Sequence, residues 1–349
     1  MEPNYKKILV RMPNWLGDIV MATPVLTLLR QYCPSAHITV MCKDSFAPLF
    51  SQDDRIDSIM PFTKPKSLFS QEAKEIYAKI KQEAYDLGIL LTNSFSSAWY
   101  FYKGNVKKRL GYLSFDRWLL LNSPIKMTAD LQQVHQVKKY IKLLEKLGIE
   151  KAHAYPSLKL DSEYCKKATE PFLSHLQEEE YLIGIHPGAS YGSAKCWPPE
   201  YFSALCDKLI QSNIGHVIFL GTGEQNDLIT EITEKLPKKS YTNLCGETNI
   251  SQLVAIINQL NVFVTNDSGP MHVASALHTP LVALFGSTDP SKTGPYNGGQ
   301  IIYKAVECSP CFRRTCPIDF RCMKQISPHE VFFQILNLQK TNEKCLDRL

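Results

Sequence analysis

The chain reads as an α/β protein built from two doubly wound parallel sheets. Three observations lead there. Short apolar runs alternate with helical patterns along the whole length. The alternation restarts midway, after residue 180. Several apolar runs also lack the in–out alternation of half-exposed strands, as strands covered on both faces do. Ile8-Leu9-Val10, Val217-Ile218-Phe219-Leu220 and Leu281-Val282-Ala283-Leu284-Phe285 are of this kind.

In order, the first half predicts a strand at 8–11, a helix over 16–31, a strand at 37–41, a charged helix over 71–83 and a strand at 86–92. A long helix then runs over 134–147, stopped by Gly148. From 148 to 180 the character changes, with Pro156, Pro171 and a charged helix ending in Glu178-Glu179-Glu180, so the linker is expected near its end. The second half predicts strands at 181–186, 216–221, 261–265 and 281–285, a helix over 227–236 and a helical tail over 328–338. The expected division is 1–175, 180–327 and a C-terminal helical segment 328–349 packing back on the first domain. Two doubly wound domains are expected to face a cleft, since open α/β sheets bind ligands beyond the carboxyl ends of their strands.

A length of 349 residues suits two ordinary cores, and 44% hydrophobic content suits a globular protein. The net charge of +5 fits a small acidic substrate or an anionic membrane surface and is too slight to argue for nucleic acid. No apolar run approaches a membrane span, and Arg11 ends the first one too early for a signal peptide. Eleven cysteines, mostly scattered, suit a reducing compartment, so a cytoplasmic protein is expected.

The densest chemistry lies in Thr265-Asn266-Asp267-Ser268-Gly269-Pro270-Met271-His272, between two apolar runs. A carboxylate, a hydroxyl and a glycine stand where a strand hands over to a helix, and the first N–H groups of that helix welcome an anion. Pro270 suits the first turn. An ordinary helix cap at Asp267 or Ser268 explains the same residues. After the first strand comes Pro13-Asn14-Trp15-Leu16-Gly17-Asp18. Asp18 there is a general base for a hydroxyl nucleophile, or only a complement to the helix dipole. The run from His186 to Pro198 holds Gly188, Ser190, Gly192, Ser193 and Lys195, donors suited to a diphosphate, or simply a surface loop. Gly221-Thr222-Gly223 lacks the third glycine of a dinucleotide fingerprint and reads as a tight turn lining the nucleotide side. Glu247 is a further nucleotide contact.

Cys308, Cys311, Cys316 and Cys322 number enough for a tetrahedral zinc, but their spacing is not that of a standard ribbon. Reduced cysteines and no metal are expected. Aromatic and basic residues interleave from Trp99 to Tyr112, followed by Arg117. That mixture suits a membrane interface or an anionic glycolipid, or else a partly buried helix with a solvated basic turn.

The run from Thr265 to His272, with Phe285-Gly286-Ser287-Thr288-Asp289-Pro290 and Thr293-Gly294-Pro295, resembles the C-terminal domain of glycosyltransferase family 9, the ADP-heptose:lipopolysaccharide heptosyltransferases. Asn14 to Ala22 with Pro24, Arg109-x-Gly111-Tyr112 with Arg117, and the cysteine segment are similar to its heptosyltransferase II group. The resemblance covers nearly the whole chain. Two departures stand out: Cys196 where the family more often has arginine, and Asp319-Phe320 where such cysteine segments often carry histidine.

The resemblance implies a GT-B architecture and an inverting transferase. It would move heptose from ADP-heptose to the first heptose of the lipopolysaccharide inner core, without a required cofactor. The implied catalytic set is Asp18, Lys195 and Asp267. Gly188, Ser190, Lys195, Gly221, Gly223, Glu247, Asp267, Ser268, Gly269 and His272 would bind the donor. Asn14, Trp15, Gly17, Lys107, Arg109 and Arg117 would bind the acceptor, a heptosyl-Kdo-lipid A, with peripheral contact at the cytoplasmic face of the inner membrane. A different core acceptor, or a non-catalytic module binding a sugar nucleotide or nucleic acid, are the alternatives.

Overall fold

The computed structural model of the chain describes residues 5–150, 153–177 and 180–346. They form two compact units, 1–159 and 160–349. The first contains β1 (Lys7–Arg11), α1 (Leu16–Tyr32), β2 (His37–Lys43), β3 (Ser58–Phe62), α2 (Gln71–Glu83), β4 (Leu87–Leu90), α3 (Phe95–Lys103), β5 (Lys108–Tyr112), β6 (Ser123–Ile125), α4 (Ala129–Gln133) and α5 (Gln136–Lys142). The second contains α6 (Ser162–Leu173), β7 (Leu182–His186), α7 (Pro199–Gln211), β8 (His216–Phe219), α8 (Asn226–Thr233), β9 (Tyr241–Asn243), α9 (Ile250–Gln259), β10 (Val262–Asn266), α10 (Gly269–Leu277), β11 (Leu281–Phe285), α11 (Pro290–Thr293), β12 (Gln300–Tyr303), α12 (Arg321–Lys324) and α13 (Pro328–Leu346).

Each unit holds one six-stranded sheet, all parallel. The orders are β3-β2-β1-β4-β5-β6 and β12-β11-β10-β7-β8-β9. Counted from each unit's own first strand, both are the doubly wound order 3-2-1-4-5-6. In each, the order reverses between the first and fourth strands, the place where open α/β sheets bind ligands beyond the carboxyl ends of their strands. Covered on both faces, β10 and β11 are buried at every residue, as their unbroken apolar runs require.

Local sequence explains several of these elements. Buried residues run round most of α1, which packs on α5. Pro24 inside it has no N–H for the carbonyl of Val20, and the Thr23 hydroxyl donates to that carbonyl at 2.8 Å instead. The edge strands β3 and β6 carry Pro61 and Pro124, which only an edge tolerates.

Five strands lack a sequence signal of their own: β3, β5, β6, β9 and β12. All but β5 are edge strands, short and partly exposed. The helix expected over 134–147 is α5 followed by a 3-10 turn at Leu143–Leu147, closed by Gly148 at φ 82°. The unit boundary falls at 159/160, ahead of the expected 175, because α6 packs on α9. Of the expected linker residues, Glu178 and Glu179 lie outside the described residues. In the C-terminal segment, α13 packs on α7, β10 and β11 of the second unit, its Val331 and Ile335 entering that unit's core.

Candidate active site

At the reversal point of the second sheet, β7 and β10 are joined beyond their ends by one side chain. Asn266 is fully buried; its amide donates to the Pro187 carbonyl at 2.6 Å and its Oδ1 accepts from the Trp197 N–H at 3.1 Å. The loop 187–197 is therefore held at both ends by the last residue of β10. Trp197 anchors it further through an indole bond to the Ile326 carbonyl at 2.9 Å. Midway, Gly192 takes φ 152° against the Arg314 carbonyl, where a Cβ would come within 2.2 Å. The Ala194 N–H donates to that same carbonyl at 3.0 Å, and the Tyr191 hydroxyl to the Phe312 carbonyl at 2.8 Å.

So positioned, Lys195 reaches Asp267 with Nζ 2.5 Å from Oδ2 and lies over the Tyr191 ring. The Thr288 hydroxyl donates to the same carboxylate oxygen at 2.6 Å. Asp267 is buried, and a buried carboxylate stays charged only with such partners. The pair fixes the ammonium at the carboxyl edge of the sheet, beside the start of α10.

Ser268 occupies the cap position of α10 in an extended conformation but makes no capping hydrogen bond. Its hydroxyl lies 3.0 Å from Thr265 Oγ1 and 3.3 Å from His186 Nδ1 instead. Of the two expected cap residues, neither caps, because one side chain is drawn to the histidine and the other to the lysine. With Pro270 in the first turn, the start of α10 receives no cap from the Ser268 side chain, an arrangement that suits an anion. Burial holds the His186 imidazole neutral and pulls its pKa down to about 4. His272 is buried within α10.

The remaining residues expected to bind the donor sit on the same edge. Gly188 and Gly221 face the side chain of Gln225, where a Cβ would come within 1.7 and 2.1 Å. Gly246 at φ 81° abuts Gly223 and donates to the Gly221 carbonyl at 3.0 Å, tying the turns after β8 and β9 together. Ser190 and Glu247 are exposed. Gly269 opens α10.

In the first unit, Asp18 lies in the first turn of α1, after β1. The Tyr140 hydroxyl donates to its Oδ1 at 3.2 Å. Burial and the charge of Asp18 push the Tyr140 pKa well above 10, so this group stays a donor. Asn14 is held by the Arg11 guanidinium at 2.6 Å, and Trp15 is exposed with Lys43 over its ring. Gly17 lies within α1 and is not among the left-handed residues, so it uses none of its backbone freedom.

The basic residues expected to bind the acceptor do not converge. Lys107 precedes β5 at the opposite edge of the sheet and pairs with Asp86 at 2.9 Å. Arg109 donates to the Leu120 and Val106 carbonyls at 2.6 and 2.7 Å. Arg117 is fully buried, bonded to the Tyr112 carbonyl and Asn93, with its pKa pulled down to about 10 by burial. Both arginines thus support the chain around β5.

A family model described as glycosyltransferase family 9 (heptosyltransferase) matches residues 74–320. The lipopolysaccharide heptosyltransferase 2 of Escherichia coli is 33% identical over 300 residues, 83% of this chain and 85% of that protein. The lipooligosaccharide heptosyltransferase 2 of Campylobacter jejuni is 29% identical over 96% of this chain and 99% of its own. The solved structure of E. coli ADP-heptose lipopolysaccharide heptosyltransferase II superposes with a TM-score of 0.82 at 28% identity, covering 97% of this chain and 99% of that one.

The chain belongs to glycosyltransferase family 9. It is a glycosyltransferase with two Rossmann-like domains of the GT-B kind.

Three residues of this family 9 enzyme escaped the sequence reading. Thr288 stood in a recognisable run but carried no sign of a role. Tyr191 was read only as part of the loop. Tyr140 lies 122 residues from Asp18, and no spacing rule links them.

The cysteine segment 308–322 lies against the loop that bears Lys195. Its four cysteines, with Ala194 and Ser287, line a cavity of about 300 Å³. All four are free thiols. Among the described residues, no group of three or more His, Cys, Asp or Glu is placed to hold a metal ion. The contacts of Phe312 and Arg314 make the segment a buttress for the Lys195 loop.

The buried His186 makes the family 9 fold acid-sensitive in a defined window. Its folded pKa lies below the unfolded 6.5, so its neutral form contributes fully above pH 6.5. That contribution is lost as pH falls from 6.5 to about 4. The loss by pH 4.5 amounts to about 2–3 kcal/mol. Urea unfolding at pH 7 and 4.5 will show His186→Gln losing less stability than the wild type by about that amount. Equal losses in the two proteins contradict it.

Proposed function

We propose that this chain transfers heptose from ADP-heptose to the first heptose of the lipopolysaccharide inner core, with inversion at the anomeric carbon. The observation that carries the reading is the α10 N-terminus left uncapped beside the Lys195–Asp267–Thr288 cluster. It offers a diphosphate both a fixed positive charge and backbone donors. ADP-heptose as donor follows from the name of the E. coli structure it resembles. Similarity to lipopolysaccharide and lipooligosaccharide heptosyltransferases 2 supports an acceptor in the lipopolysaccharide core.

In the proposed reaction, Asp18 takes the proton from an acceptor hydroxyl. The hydroxyl oxygen forms the new bond to the anomeric carbon. The bond from that carbon to the β-phosphate oxygen breaks on the opposite face, and its electron pair leaves with ADP. Lys195 and the N–H groups of α10 stabilise the departing charge without being reorganised, because Asp267 and Asn266 already hold them in place. Tyr140 orients the Asp18 carboxylate. Asn14, Trp15 and Gly17 adjoin that base on the acceptor side, and Arg117 supports that side through its bonds to Tyr112 and Asn93. With protein cations stabilising the leaving group, the reaction needs no added metal.

An anionic, lipid-linked acceptor suits the charge distribution. Residues 1–159 contain 23 Lys and Arg against 14 Asp and Glu, whereas 160–349 contain 16 against 20. Among the described residues, no helix is long and apolar enough to cross a membrane. We place the enzyme in the cytoplasm, working against the inner membrane.

Incubated with ADP-heptose and a series of truncated cores, the protein will add one heptose to the acceptor that ends in a single heptose, read by mass. Transfer only to a different core fragment would favour another member of the family, and no transfer to any would refute the reading. Asp18→Asn will lower kcat by roughly 10²–10⁴-fold with ADP affinity nearly intact; turnover within a few-fold of wild type removes Asp18 from the base role. Lys195→Ala will weaken ADP by about 1.5–3 kcal/mol in calorimetry. Unchanged affinity would leave the lysine as a partner of Asp267 only.

A further inference from the structure

Between β5 and β6, a turn holds three large apolar side chains in water. Phe115 is 96% exposed, Leu119 68% and Trp118 59%. Single exposed apolar residues are ordinary; three within five positions are not. The turn is closely bonded. The Arg117 N–H donates to the Ser114 carbonyl at 3.1 Å, and the N–H groups of Leu120 and Leu121 both donate to the Arg117 carbonyl, at 2.9 and 3.1 Å. The buried Arg117 side chain pins the centre of the turn to Tyr112 and Asn93. Leu120 and Leu121 are buried behind it. The outward trio is therefore held by a scaffold whose Arg117, Leu120 and Leu121 face inward.

Its place in the fold says what it meets. The turn follows β5 in an all-parallel sheet, so it lies on the same carboxyl edge as Asp18. Exposed Lys126 follows β6 at that edge, and Lys43 ends β2 there. The one carboxylate in the turn, Asp116, is bonded to the Ser114 hydroxyl at 2.6 Å. An aromatic and aliphatic tip on a unit with a large excess of cations matches a surface that is anionic outside and apolar beneath.

We propose that the turn 114–119 docks the protein on an anionic lipid bilayer. Phe115, Trp118 and Leu119 enter the layer between headgroups and acyl chains, and the basic charge of the first unit meets the headgroup phosphates. This rests on the reading that the acceptor is lipid-linked. It gives the enzyme a way to take an acceptor sugar without extracting its lipid.

The test uses the full chain with vesicles of phosphatidylethanolamine and phosphatidylglycerol, and with vesicles of phosphatidylcholine alone. Wild type will co-sediment with the anionic vesicles and much less with the neutral ones. The triple variant Phe115→Ser, Trp118→Ser, Leu119→Ser will bind the anionic vesicles at least tenfold more weakly. Both proteins will turn over a deacylated acceptor with equal kcat and KM, which also shows that the variant is folded. In vesicles containing brominated lipid, tryptophan quenching will fall in the conservative variant Trp118→Phe.

Equal vesicle binding by wild type and triple variant overturns the proposal, as does quenching undiminished by Trp118→Phe. A wild-type dimer that the triple variant dissociates would make a second copy the occupant, and also overturns it. Absence of turnover on the deacylated acceptor in both proteins would refute the proposed reaction, while the vesicle results would still decide the docking.

Discussion

Everything at the carboxyl edge of the second sheet depends on where the Asn266 amide goes. As the last residue of β10 it has no room for water, so its side chain must bond to neighbouring backbone. It satisfies Pro187 in one direction and Trp197 in the other, and so closes the loop 187–197 over the reversal point of the sheet. Lys195 is two residues from the Trp197 end of that closure. Its ammonium therefore stands in one place before any ligand arrives. Removal of the amide would leave two backbone groups unpaired and release the loop that carries the charge.

The Lys195–Asp267 pair is better understood as preorganisation than as stability. Both side chains are largely withdrawn from solvent, and the cost of desolvating two charges offsets most of their attraction. Thr288 adds a second donor to the same oxygen. The result is a cation with fixed aim next to helix donors that Ser268 does not cap, since its hydroxyl is drawn to His186. Opposite tendencies meet here: a capped α10 would be a more stable helix and a poorer site for an anion.

In the first unit the same topology serves a different chemistry. The reversal between β1 and β4 is occupied by Asp18 rather than by a cation, and its partner is a buried phenol. Outward from it, on the same edge, lie exposed aromatic side chains, while Arg109 and Arg117 bond to the chain's own backbone. Of the aromatic run beside Lys103, read either as interfacial or as a partly buried helix, Tyr100 and Phe101 are buried in the core. The exposed ones sit further on, in the turn after β5.

From the sequence alone came the fold class, the inner strands other than β5 and the turns that bear the chemistry. Strands covered on both faces must be apolar throughout, and a parallel sheet puts every strand-to-helix turn on one edge; the runs ending at Arg11, His186 and Asn266 were legible for that reason. Family 9 was legible too, in the motifs those turns carry. The edge strands were not, because half-exposed short segments such as Tyr241–Asn243 and Gln300–Tyr303 need little hydrophobicity once a neighbour supplies the ladder. Tertiary structure alone decided that Tyr140 meets Asp18, that Thr288 shares the carboxylate with Lys195, and that Arg109 and Arg117 bond to backbone instead of facing outward. The first two are contacts between chain segments brought together by the sheet order, and local spacing holds no information about partners that only the winding of the chain makes adjacent.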